Sequence, residues 1–419
     1  MMDFVSSVRK GYSRWDHNAD VPGSSKSTRL LKQAGCIAVF VAIFSVIVLP
    51  LLVGSKAWRT NPDPCKVWEE VRGLLSEHDN VSVIVGNGGG DRLIFSRGKA
   101  SPPPSAILPV ASASKWITAT IVLKLVDRGD LSLDDKPSRY LDFWKPAPND
   151  KRSGVELRHL LSFTSGLVEG GSLRCSAGSD DLPACARQIY EANSNMSNAP
   201  GDGIYYSGNH LVVAVAMAET KTGRSLNQLL QTLVIQQLGL HEQVHFSSKP
   251  FGLNPSGSLM ISAIDYGVFL RTLLSKKDGF LSPRAYGQML TPWTKNASKM
   301  STLAPYIEGR AWEYGLGHWI ECFDELSSDN RSIACPNASI QSSIGAFGFY
   351  PVLEAVVQGS DPHDHYLIIS PQVPTSDFSK NYMLPSVLLH EQVRSQVRQV
   401  VSTLDLRGKT SAVCEERLD

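Results

Sequence analysis

The apolar residues of this chain change period along its length, and the order of those periods restricts the fold more than any other feature. "VSVIVGNGGGDRLIFSRG", residues 81 to 98, holds two short β-rich runs around a glycine turn, the pattern of a hairpin. Its glycines Gly88, Gly89 and Gly90 read as a turn and not as a phosphate cradle, because no Lys-Ser/Thr pair and no helix follows. From about residue 113 to 300 the spacing is helical, and Gly129, Gly223 and Gly279 close the strongest helices. The last third returns to strands, "YGLGHWIEC", "SIGAFGFYPVLEAVVQGS" and "HYLIISP", before an amphipathic final helix, "SVLLHEQVRSQVRQVVSTL". Strands at both ends with helices between predict an α+β domain: one antiparallel sheet built from both chain ends, flanked by helices, with a mostly helical insertion. "CKVWEEVRGLLSEH" places Val67, Val71 and Leu74 on one face of a further helix near the start.

A second feature stands upstream. "CIAVFVAIFSVIVLPLLV", residues 36 to 53, carries no charge and has about the length a helix needs to cross a bilayer. Its polar flanks distinguish it from a buried core helix, and the polar residues 1–35 ahead of it from a cleaved signal peptide. Lys26, Arg29 and Lys32 before the run nearly balance Lys56, Arg59 and Lys66 after it; Arg9, Lys10 and Arg14 tilt the count toward a cytosolic N-terminus. The N-x-S sequons at Asn80, Asn195, Asn296, Asn330 and Asn337 all lie downstream. So do all the cysteines but Cys36. Cys175/Cys185 and Cys322/Cys335 each bracket a polar loop and suggest local bridges, which leaves Cys65 for Cys414; the sequence does not settle this pairing, and reduced thiols are the alternative. The expectation is a single-pass membrane protein with its main domain extracellular or lumenal, where disulfides persist. The net charge of +1 gives no reason to expect a nucleic-acid partner. No C-x-x-C or H-E-x-x-H spacing points to a metal, and no cofactor is expected.

The chemistry gathers in "PVASASKWITATIVLKLV", residues 109 to 126. On a helix, positions i and i+3 share a face, so Ser112 can meet the Lys115 amine while Ser114 points about 100° away. Ser112 also stands at the helix entrance, where unpaired N–H groups favour developing negative charge. Taken alone, S-x-x-K is equally the pattern of an N-cap serine followed by an exposed lysine.

The surrounding segments add to it. "VASASKWITATIVLKLVDRGDLSLDDKPSRYL", "LRHLLSFTSGLVEGG", "PGDGIYYSGNHL" and "SIGAFGFYPVLE" occur in that order. Together they resemble the motifs of the serine β-lactamase and penicillin-binding-protein-like superfamily, especially its class C β-lactamase and esterase-like branch. The resemblance runs from about Cys65 to Cys414. It implies the β-lactamase/transpeptidase-like fold, with Ser112 as nucleophile, Lys115 as its proton partner and Tyr206 as the motif tyrosine; Tyr205 reads as a core or wall aromatic. To act as a base, Lys115 needs its pKa lowered by about 3 units, roughly 4 kcal/mol of environment. The family's asparagine falls on Gly208, with Asn209 one place late as a substrate-binding candidate. A literal "KTG" at Lys221, Thr222 and Gly223 reads as a helix end. The third motif falls instead on Ser343, Ile344 and Gly345. Ser343 and Gly345 would face substrate, and the N–H of Ala346, with that of Ser112, would form the oxyanion hole. Ser343 replaces a family lysine or histidine, so attraction for a substrate carboxylate is lost.

His159, His210 and His365 read as structural, and Trp116 and Phe347 as flanking the site. The implied layout is a cytosolic tail (1–35), a transmembrane signal anchor (36–54), a stalk (55–64), a hydrolase domain (65–414) and a C-terminal tail (415–419). The implied activity is that of a serine hydrolase, an esterase, amidase or peptidase acting through an acyl-enzyme on a small molecule or peptide. A non-catalytic cell-surface module and a true β-lactamase or D,D-peptidase are its rivals.

Overall fold

Val81–Gly86 (β1) is a run of apolar and small residues, all of them buried, as in a strand covered on both faces. The structure, a computed structural model, describes residues 64–403 apart from 76–79, 91, 99–102, 169–179, 250–251, 277–278, 295–296, 300–311, 322–337, 357–362 and 372–382. The other main strands are Arg92–Arg97 (β2), Glu313–Tyr314 (β3), Trp319–Glu321 (β4), Ala338–Ser342 (β5), Tyr350–Val356 (β6) and His365–Pro371 (β7). They form one seven-stranded sheet in the order β2-β1-β7-β6-β5-β4-β3, antiparallel throughout. β1 pairs with β2 through the expected hairpin, Val83 opposite Phe95, and with β7 on its other side, Val83 opposite Ile369. The sheet therefore is built from both ends of the domain.

Two strand boundaries differ from expectation. "YGLGHWIEC" divides into β3 and β4 around a turn at Gly317, which has φ 77°. There the Gly317 N–H donates to Leu161 O at 2.9 Å, and a Cβ would stand 2.7 Å from the Lys115 carbonyl oxygen. Ser343 to Phe349 form a turn between β5 and β6 and are not strand; the Gly345 N–H donates to Phe349 O at 2.8 Å.

Helices cover both faces. The first, Pro64–Leu75 (α1), buries Val67, Trp68, Val71 and Leu75, while Leu74 is half-buried; the stripe from Val67 through Val71 continues four residues on, at Leu75. It packs against the last, Met383–Thr403 (α7), and α7 packs on the sheet. Between them come Ser114–Asp127 (α2), Leu182–Ala192 (α3), Asn209–Thr222 (α4), Ala263–Leu274 (α5) and Pro283–Leu290 (α6). α5 lies on β6 and β7, where Tyr366 and Ile368 meet its Gly267. The alternate face of the same strands carries Glu354 and His365 toward α7. α2 is buried from Ser114 to Leu125, with apolar residues spread round the helix and Lys115, Thr118, Thr120 and Lys124 buried among them, as in a helix at the centre of its layer. α4 ends at Gly223, φ 68°, whose N–H donates to Glu219 O at 2.7 Å, so the literal KTG is a helix end. α5 stops at Leu274, short of Gly279, and Lys276 takes the left-handed turn instead at φ 48°.

Residues 36–54, Cys175, Cys322, Cys335, Cys414 and the sequons at Asn296, Asn330 and Asn337 lie outside the described residues. Among the described residues no helix is long and apolar enough to cross a membrane. Cys185, buried on α3, is disulfide-bonded. Asn195 is exposed after α3.

The α7 layer is tied to the sheet by Glu354, 3% exposed, which accepts from Arg394 Nε at 2.9 Å and Nη2 at 3.0 Å and also pairs with Arg398. Removing the carboxylate leaves two cations facing a buried site. Glu354→Ala is expected to lower unfolding free energy by about 3 kcal/mol, read from the urea midpoint at constant slope.

Candidate active site

The site begins where the chain enters α2. Leu108–Pro109 pairs with Leu259–Ile261, and the Val110 N–H donates to Leu259 O at 3.1 Å. The next residues turn sharply. Ala111 is left-handed at φ 47°, a conformation that costs a residue with a Cβ about 1 kcal/mol or more. Every carbonyl of the turn is held. Val110 O accepts the Ala113 N–H at 3.1 Å. Ala111 O accepts the Ser114 hydroxyl at 2.6 Å, Ser112 O that of Ser343 at 3.2 Å, and Ala113 O that of Tyr266 at 2.9 Å. Gly345 closes against the same turn: a Cβ there would lie 2.2 Å from Val110 O.

This arrangement gives the third motif a task within the protein itself, that of holding the Ser112 turn. Ser343 is buried and its hydroxyl is directed at the carbonyl of Ser112. Gly345 permits close approach of backbone to backbone at Val110. Ala346 is exposed on the turn that follows. Among the described residues, no loop carbonyl takes the N–H of Ser112 or of Ala346.

Lys115 Nζ donates to Ser112 Oγ at 2.8 Å and to Ser256 O at 2.9 Å, and lies 4.7 Å from the centroid of the Tyr206 ring. Ser114, by contrast, is turned into the core. The carbonyl and the ring face both favour an ammonium, but Lys115 is 4% exposed, and among the described residues no carboxylate pairs with it. Burial prevails and lowers its pKa from 10.5 to about 7, a change of about 5 kcal/mol in favour of the free amine. A lysine held at the edge of neutrality beside a serine hydroxyl can take that hydroxyl's proton.

Tyr206 and not Tyr205 brings its ring to Lys115. It stacks on Trp319 at 5.2 Å and meets Phe163 at 5.5 Å. Phe163, itself left-handed at φ 61°, stacks on His210 at 4.9 Å and accepts the Tyr205 N–H at its carbonyl. The histidines are scaffolding. Tyr205 O accepts from His210 Nε2–H at 2.8 Å, so Nδ1 accepts the Ser165 hydroxyl at 2.8 Å. Burial lowers its pKa to about 4 and keeps it neutral. His159 Nδ1 accepts the Glu156 N–H in a capping box, and His365 is buried against the His363 carbonyl. Asn209 is buried at the start of α4 and donates to Leu167 O at 3.2 Å, so its amide holds the neighbouring loop. Trp116 stacks on His318 at 4.8 Å in the core, whereas Phe347 is half-buried on the turn beyond Gly345.

Sequence reasoning missed the Asn254–Leu259 loop. Its Pro-Ser-Gly composition marks a turn, but nothing local says that the carbonyl of Ser256, some 140 residues from Lys115, faces its amine. A cavity of about 780 Å³ opens at the far end of α2 beside Asp127 and Tyr286. It gathers no catalytic set, since Asp127 is occupied by the Ser282 N–H and hydroxyl.

A family model described as Beta-lactamase matches residues 69–350. The esterase EstB of Burkholderia gladioli is 37% identical over 155 residues, covering 34% of this chain and 39% of that protein. A D-aminopeptidase of Brucella anthropi is 30% identical over 141 residues, 33% of this chain and 26% of that one. The matches thus span well under half of these relatives. The solved structure of the D-amino acid amidase from Ochrobactrum anthropi SV3 superposes with TM-score 0.58 at 17% identity, covering 80% of this chain and 98% of that one; the likeness is one of fold.

Two outcomes follow from the geometry. Gly345→Ala drives a methyl into Val110 O and displaces the Ser112 turn; acylation of Ser112 by a reactive probe should slow about 100-fold while far-ultraviolet circular dichroism is retained. The amine accepts a proton only when unprotonated, so the acylation rate should rise with pH through about 7 and level off above it.

Proposed function

Since the chain belongs to the β-lactamase family, we propose that it is a serine hydrolase that cleaves a neutral ester or amide through an acyl-enzyme. The observation that carries this reading is the 2.8 Å contact between Lys115 Nζ and Ser112 Oγ around an amine that burial holds near neutrality. A binding module gains nothing from burying a lysine with no carboxylate partner, at a cost of several kcal/mol.

In the reaction Lys115 takes the Ser112 proton as Oγ forms a bond to the substrate carbonyl carbon. The carbonyl π electrons move to oxygen, and the N–H groups of Ser112 and Ala346 receive the oxyanion. Its collapse breaks the bond to the leaving group, which leaves with the proton returned by Lys115. Tyr206, beside the amine, relays protons in the same network. Water then adds to the acyl carbonyl as Lys115 takes its proton; collapse breaks the bond to Oγ, Lys115 returns the proton to Oγ, and the acid departs from Ser112.

The substrate's charge is read from Ser343. It offers no cation and its hydroxyl is engaged by Ser112 O, so nothing at the third motif favours a free carboxylate. Relatives named esterase and D-aminopeptidase support ester and amide chemistry for this reading. The anchor belongs to the same proposal: the uncharged run at 36–53, with sequons only beyond it, supports a single-pass protein whose hydrolase domain is extracellular or lumenal.

Labelling with a fluorophosphonate, followed by peptide mapping, tests the reading. The adduct is expected on Ser112 and absent from Ser112→Ala. Neutral esters should be cleaved at least about tenfold faster than matched esters bearing a carboxylate. A folded protein that neither labels nor cleaves any ester, amide or β-lactam would sink the proposal.

A further inference from the structure

The second serine of the S-x-x-K stretch is not a bystander. Resting on the serine-hydrolase reading above, we propose that Ser114 is a positioning residue that aims the oxyanion-binding N–H of Ser112 and, through the same hydroxyl, holds the loop that presents Ser256 O to Lys115.

The Ala111 carbonyl and the Ser112 N–H belong to one peptide unit, and that unit is planar with the two groups pointing opposite ways. Whatever holds Ala111 O therefore aims the Ser112 N–H. Ser114 holds that oxygen twice: its backbone N–H donates to Ala111 O, and its hydroxyl adds a second, short bond to the same oxygen at 2.6 Å, the one that a side-chain substitution removes. A hydrogen bond to the carbonyl also polarises the peptide and makes its N–H a better donor. Because Ala111 is left-handed at φ 47°, this peptide lies away from its relaxed orientation and needs an outside tether.

The oxygen of the same hydroxyl accepts the Leu259 N–H at 3.1 Å. Leu259 ends the loop that begins at Asn254. One turn of α2 grips that loop along its length: Thr118 Oγ1 donates to Pro255 O at 2.6 Å, Lys115 Nζ to Ser256 O at 2.9 Å, and Ser114 receives Leu259. Asn254 Oδ1 braces it from within by accepting the Ser256 N–H at 2.9 Å. A buried helical hydroxyl with only a local role returns to its own preceding turn, as Thr120 does to Trp116 O at 2.8 Å. Ser114, fully buried, makes such a return bond to Ala111 O and in addition accepts the Leu259 N–H, so it joins the turn that carries the nucleophile to the loop that orients the base.

The test compares Ser114→Ala, Ser114→Cys and Tyr266→Phe with the wild type, measuring the rate of fluorophosphonate labelling of Ser112 against pH, with thermal unfolding alongside. Tyr266→Phe removes the neighbouring bond to Ala113 O but leaves the loop untouched, so it reports what simple weakening of the turn does. Ser114→Ala should slow labelling at least about tenfold at every pH. It should also move the pH midpoint upward from the wild-type value, because a loosened loop lets water reach the Lys115 amine and relieves the burial that holds its pKa down. Tyr266→Phe should keep the wild-type midpoint. Ser114→Cys fits the same space with a poor donor and gives the same comparison if the alanine variant unfolds. Wild-type rate or midpoint in the Ser114 variants, or an equal midpoint shift in Tyr266→Phe, overturns the inference alone. An unlabelled wild type overturns the hydrolase reading and this inference with it.

Discussion

The left-handed turn at Ala111 is the constraint on which the site depends. A residue with a side chain avoids that conformation unless its surroundings insist on it. Here three separate elements insist, together with a hydrogen bond within the turn itself. The turn's carbonyls are held by Ser114 from α2, Tyr266 from α5, Ser343 from the end of β5, and its own Ala113 N–H, while Gly345 leaves room for Val110. The sheet, the helical insertion and the third motif thus converge on a few peptide units. Ser112 is placed by them, and the strain is retained because relaxing it would leave buried polar groups unpaired.

Lys115 shows the same dependence in electrostatic form. Its neighbours by hydrogen bond and ring contact all favour the charged amine, and its low pKa comes from burial alone. That burial needs the Gly317 turn against the Lys115 backbone, the 254–259 loop across its amine and the Tyr206 ring beside it. Any of these moving away would bring water to the amine and return it toward an ordinary lysine. The aromatic stack from His210 through Phe163 to Tyr206 and Trp319 keeps one of the three in place.

Much of this was legible in local pattern. The hairpin at 81–98, the strand "HYLIISP" and the helix closing at Gly223 follow from period and turn chemistry, because those signals act within a few residues. So did the separation of Ser112 from Ser114, which helix geometry alone requires. The split of "YGLGHWIEC" into β3 and β4 was hidden, since the left-handed Gly317 is needed only where its turn meets Lys115 of a distant helix. The task of Ser343 was hidden likewise: its hydroxyl meets a carbonyl 231 residues away.

The amino-acid sequence by itself put Ser112 within reach of Lys115 and apart from Ser114, because residues three positions apart share a face where the chain is helical; the neighbouring motifs, not the spacing alone, made the pair a candidate for chemistry. It also determined the outline of the sheet, because periodicity is local. The tertiary structure alone decided that Lys115 is a buried amine and not a surface cation, and that the hydroxyls of Ser114 and Ser343 hold the turn's carbonyls. Each of those depends on dielectric and hydrogen bonds supplied by segments far along the chain, and such partners have no periodic signature to read in advance.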